Sequence, residues 1–154
     1  MFKILFSGLL ASGLVIGVAN AKVIAHCGVS NGYAFYPKYG IAAKNKDAGE
    51  WTKDRISNGQ FSISLSDNGK FDVLFKDVSG GIFSTVADGG QIILLGKTTD
   101  SLSLFVGYPN KSAETYTVYR TIEGKTEMMW TQNKFGVILP KVAAFIASCR
   151  YFKF

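Results

Sequence analysis

Histidine is almost missing from this chain: His26 is the only one. Hydrolytic and transfer chemistry usually needs a base beside a nucleophile, and histidine is the commonest choice. There are two cysteines, Cys27 and Cys149, and neither has a second Cys or His close by in sequence. That spacing gives no zinc-type ligand set. Proline is scarce at three residues, so few breaks interrupt an extended backbone. No basic run is present. Lys44, Lys46, Lys53 and Arg55 alternate with Asp47, Glu50 and Asp54, the pattern of a solvated segment rather than a nucleic-acid patch. The pairs Gly80-Gly81 and Gly89-Gly90 lack the following Lys and helix of a phosphate cradle, and read as turns. These gaps lead to the expectation of a protein without catalytic residues, metal ligands, cofactor or nucleic-acid partner.

What is present begins with an export pattern. Met1-Phe2-Lys3 is a short positive start, and Ile4 to Val18 is uncharged and apolar. Ala19-Asn20-Ala21 supplies small residues at the positions a signal peptidase reads. Residues 1–21 are therefore expected to be a signal peptide, cleaved before Lys22. Residues 22–154 are expected to form a single β domain that is periplasmic or secreted, and soluble. Net charge is +6, and falls to +5 without Lys3. A surplus of this size suits solubility and permits weak attraction to anionic lipid. In an oxidising compartment Cys27 and Cys149, one near each end, are expected to form one disulfide.

From Phe61 to Gln132 the chain reads as short strands punctuated by turns. Phe61, Ile63 and Leu65 alternate with serines, then Asp67-Asn68-Gly69-Lys70 turns the chain, with Asn-Gly suited to a tight hairpin. Phe71, Val73 and Phe75 alternate next, followed by a turn at Ser79-Gly80-Gly81 and a short strand from Ile82 to Val86. After Asp88-Gly89-Gly90, the apolar run Ile92 to Leu95 is expected to be a strand buried on both faces. Leu102, Leu104 and Val106 share one face of the next strand, as do Tyr116 and Val118 of the one after. Thr126 to Gln132 returns through Met128, Met129 and Trp130.

The flanks read less clearly. Val23 to Val29 and Tyr33 to Tyr36 are expected to be two strands joined by a turn at Ser30-Asn31-Gly32. Lys38 to Gly59 is expected to be a long, irregular loop pinned by Trp51 and Ile56, with a short helix over 47–55 opposed by Gly49. Lys141 to Cys149 permits a helix or a strand. The strand is preferred because it would lie beside Val23 to Val29 and set Cys149 against Cys27.

Tight turns without crossover helices imply sequential antiparallel pairing. The expected fold is all-β, an up-and-down meander forming a closed or nearly closed barrel of about eight strands. A two-sheet β-sandwich is the alternative. The outline is similar to that of exported β proteins with a terminal disulfide, including lysozyme inhibitors and lipocalin-like binders. The positive charge opposes the first role, since lysozymes are cationic. Tyr33, Phe35, Tyr36 and Tyr39, with Trp51, form the candidate binding surface. The expected function is non-enzymatic binding in the periplasm or cell envelope. Candidate partners are an envelope protein, anionic lipid, or a small apolar ligand carried as in lipocalins. A small outer-membrane barrel, suggested by the terminal Phe154, is the remaining alternative.

Overall fold

The computed structural model describes residues 20–44, 46–76 and 80–153. The expected signal segment up to residue 19, residues 77–79, which include Ser79 of the expected turn, and the final Phe154 lie outside them. The strands are β1 (Ala21–Phe35), β2 (Trp51–Ile56), β3 (Gln60–Ser66), β4 (Phe71–Lys76), β5 (Ile82–Ser84), β6 (Gln91–Lys97), β7 (Ser101–Tyr108), β8 (Ser112–Arg120), β9 (Thr126–Lys134) and β10 (Lys141–Phe152). A single 3₁₀ turn, Gly40–Lys44, precedes β2. All ten strands belong to one antiparallel sheet in the order β5-β4-β3-β1-β10-β9-β8-β7-β6, with β2 also on β1. The sheet curls through 243° into a half-barrel.

The all-β meander, the C-terminal strand and the disulfide are all present. β10 pairs with β1 and places Cys149 opposite Cys27, where the two sulfurs are bonded. The opening is not between the first and last strands. It lies between β5 and β6, which are consecutive in sequence yet form the two edges of the sheet.

β1 departs from the expected two strands and turn. It is continuous from Ala21 to Phe35, and Ser30, Asn31 and Gly32 are paired on both sides, with β10 and with β2. Gly32 serves close approach rather than a turn. A Cβ there would stand 1.9 Å from the Ala144 carbonyl oxygen, so only glycine fits. One extra residue between Cys27 and Ser30 bulges β1 against β10. At that bend β1 exchanges one partner for another: Cys27 faces Phe61 of β3, and Ser30 faces Ile56 of β2.

The expected long loop contains β2, and residues 51–56 are extended rather than helical. Thr52, Asp54 and Ile56 turn inward while Trp51, Lys53 and Arg55 face solvent. The strand alternates, but two of its inward residues are polar, so the sequence shows no dry face. In the hairpin after β3 only Gly69 takes a positive φ, at 77°. Ser66 N–H bonds Lys70 C=O, and Gly69 N–H bonds Ser66 C=O. This is the three-residue loop with glycine in the left-handed position, not the two-residue primed turn suggested by Asn68-Gly69.

β6 is the largest departure. Its apolar run was expected to be buried on both faces, but Ile93 and Leu95 are 55% and 58% exposed. β6 pairs only with β7, so the run has a covered face only where Ile92 meets the core.

Register builds the interior in layers, because directly opposed residues on neighbouring strands share one level. The bottom layer is Leu102, Val118, Met128 and Ala147. Above it lie Leu104, Tyr116, Trp130 and Phe145, then Val106, Glu114, Gln132 and Ala143, then Tyr108, Ser112, Lys134 and Lys141. The first two layers are buried and dry, and join Ile24, Phe61, Ile63 and Val73 in one core. Each large side chain there contributes about 1.5–3 kcal/mol of burial. The layers become more polar toward the top.

Candidate functional site: the mouth of the half-barrel

The two upper layers surround a cavity of about 370 Å³ at the top end. Its aromatic walls are Phe61, Phe75, Tyr108, Tyr116 and Trp130. Alternation aims these residues inward: Tyr116 lies two positions from Glu114, and Trp130 two from Gln132, so each pair shares a face. The rings of Phe61, Tyr116 and Trp130 touch one another, with centroids 5.3 to 6.0 Å apart, and Trp130 stacks on Phe145 at 4.5 Å. This cluster closes the cavity from the packed interior below.

Glu114 is the buried acid of the site, 7% exposed. Its carboxylate accepts from the Tyr116 hydroxyl and, at 2.7 Å, from Gln132 Nε2. Hydrogen bonds to a charged group contribute about 1.5–3 kcal/mol each. No described cation lies within ion-pair distance of Glu114. Burial pushes the Tyr116 phenol well above its ordinary pKa, and the neighbouring Glu114 charge pushes the same way. Burial also raises Tyr108, against the opposing hydrogen bond to Thr85. The Trp130 indole N–H is buried and has no acceptor among the described residues.

The rim is cationic: Lys76, Lys111, Lys134 and Lys141 line it, with Asp88 opposing them. Lys141 is largely enclosed. Its ammonium bonds Asp54 at 2.9 Å and lies 5.6 to 5.7 Å from the Phe145 and Tyr36 ring centres. Asp54 also receives the Tyr36 hydroxyl at 3.4 Å.

The five expected surface residues do not form one patch. Tyr33 and Tyr39 are exposed, and Phe35 meets Trp51 across the β1–β2 ladder with ring centres 5.7 Å apart. Tyr36 turns toward Asp54 and Lys141 beside the mouth. A second concavity, about 820 Å³, involves Tyr33 with Lys53, Arg55, Met129 and Ile146. These are outward side chains of an open sheet surface, without a buried polar floor. His26 bonds the Ser62 hydroxyl at 2.8 Å and does not line the mouth.

Sequence reasoning passed over Glu114, Gln132, Lys134 and Lys141. One signal was available: Glu114 is in phase with Tyr116 and Val118, a carboxylate on the dry face of its strand. Among the described residues no three His, Cys, Asp or Glu side chains gather in a metal-holding group, and no helix is long and apolar enough to cross a membrane. No protein-family model matches the chain, and neither a curated protein nor a solved structure does.

Proposed function

We propose that this chain is a small exported β protein that acts by binding rather than catalysis, and takes a small amphipathic ligand into the mouth of its half-barrel. The observation that carries this reading is the 370 Å³ cavity, set between aromatic walls and a lysine rim. Small-molecule sites have this build: a concave, largely apolar lining with a few placed polar groups. The lower interior is filled, and the space above it is polar at its top. A wholly apolar ligand therefore suits it less well than one with an apolar body and an anionic group.

Export is supported by the residue 1–21 pattern and by the disulfide. The outer face gives little support to a membrane barrel. Ser103, Thr115, Thr117, Thr131 and Asn133 alternate with the buried positions, where a lipid-facing band would be apolar. Intact mass of the protein recovered from its native host tests export, with a chain beginning at Lys22 and two hydrogens lighter as the expected result.

The dye 1-anilinonaphthalene-8-sulfonate, an aromatic anion, tests the cavity. One saturable site is expected, weakened by Tyr108→Ala and unchanged by Leu95→Thr on the exposed edge. Dye emission that follows Leu95 and ignores Tyr108 would sink the mouth as the binding site.

A further inference from the structure

We propose that the mouth selects a zwitterion, with an ammonium held at the Glu114 level and an anionic group held by the rim lysines; this rests on the cavity being the binding site. The argument begins with the register. Glu114 and Gln132 face each other, and two residues farther along the same strands Ser112 faces Lys134. Two residues of strand rise place these levels about 7 Å apart. The cavity therefore presents one sign of charge at its inner level and the opposite sign at its outer level.

The inner level suits an ammonium. Glu114 is buried, and its two contacts are both neutral donors, a phenol and an amide. Each carboxylate oxygen has a further lone pair for a donor. A buried charge without an ionic partner is costly, and a cation placed against it relieves that cost. The rings of Tyr116, Trp130 and Phe61 lie just below, and an ammonium is also attracted to ring faces. A simple anion would meet Glu114 as a like charge if it entered this far.

The outer level suits an anion. Lys76, Lys111 and Lys134 are in none of the described ion pairs, and apart from Glu114 at the inner level only Asp88 opposes them along the lining. Lys141 is partly neutralised by Asp54. A free cation would be repelled on entry unless it carried its own anion, which makes the combination selective. The matching chemistry is an ammonium joined to a phosphate by a short linker, as in phosphoethanolamine. A free metabolite and a lipid headgroup both offer it.

Isothermal titration calorimetry of the purified protein with phosphoethanolamine, ethanolamine and inorganic phosphate tests the proposal. Phosphoethanolamine is expected to bind at least ten-fold more tightly than either half. Glu114→Gln should reduce it to the level of phosphate, while Leu95→Thr, outside the cavity, leaves it unchanged. Lys111→Ala with Lys134→Ala, at the rim and away from the packed layers, should reduce it to the level of ethanolamine, and keeps the test available if the Glu114 variant does not fold. Cosedimentation with phosphatidylcholine vesicles, with and without phosphatidylethanolamine, separates the sources. Capture only with the ethanolamine lipid supports a headgroup ligand, and tight binding in solution without capture supports a free zwitterion. Dye binding with phosphoethanolamine no tighter than phosphate overturns the zwitterion and leaves the cavity reading standing. Failure of dye and zwitterion together overturns both.

Discussion

Replacing Cys27 and Cys149 together by alanine is expected to lower the unfolding free energy by about 3 to 5 kcal/mol. The bond joins residues 122 apart in sequence. Holding the ends of such a loop together removes roughly 5 kcal/mol of chain entropy from the unfolded state. The native state should change little. β1 and β10 are joined by nine paired residues, and alanine keeps the Cβ atoms that meet in the ladder. The loss therefore falls on the unfolded side, and this gives the assay a second reading. Urea unfolding followed by tryptophan emission should show a lower midpoint and also a larger m value, because the uncrosslinked chain exposes more surface. Wild type with reductant should move toward the variant. A loss under about 1 kcal/mol with m unchanged would refute the loop-closure argument. It would mean that the unfolded chain already keeps its ends together.

Gly32→Ala should cost about 3 kcal/mol or more, or prevent folding, because its Cβ would overlap the Ala144 carbonyl. Gly96→Ala, with open space around its Cβ, should stay within about 0.5 kcal/mol in the same urea assay. Stability should hold level up to the unfolded tyrosine pKa near 10 and fall as pH rises beyond it. The sign follows from the raised folded pKa of Tyr116: the unfolded chain ionises first and so gains relative to the folded one. Tyr116→Phe should make that decline shallower, as measured by urea midpoints across the alkaline range.

Much of the fold could be read in the chain because its central strands obey a period of two. Leu102, Leu104 and Val106 mark a dry face by themselves. The closing strand followed from Cys149, which a strand beside Val23 to Val29 would set against Cys27. β2 was hidden because Thr52 and Asp54, two of its inward residues, are polar and are accommodated by cross-strand and ionic partners. Ser30-Asn31-Gly32 misled because a glycine needed for close packing looks the same in sequence as one needed for a turn. Ile92 to Leu95 misled because hydrophobicity is local, whereas burial depends on which strand lies alongside.

The site was less legible for the same reason. Glu114 in phase with Tyr116 was visible. Its opposition to Gln132, and the seating of Lys134 and Lys141 one level above, exist only once register joins three strands. The aromatic cluster expected at Tyr33 to Tyr39 separated because Tyr33 lies outward on β1, whereas Tyr36, just past the strand's end, turns toward Asp54 and Lys141.

The position of the opening has a consequence for chain connectivity. In a simple meander the ends of the chain flank the gap. Here the first and last strands, β1 and β10, are zipped together, with Lys153 N–H on Ile24 C=O and the disulfide beside them. The gap instead falls within the Val86–Gly90 connection, between strands that share no ladder. A permuted chain that joins the end of β10 to the start of β1 by a short linker and starts at Gln91 would keep every strand pair in the sheet. The fold is in effect an open ribbon from β6 around to β5. Strands β1 and β10 lie near its middle, and one surface connection bridges its two borders.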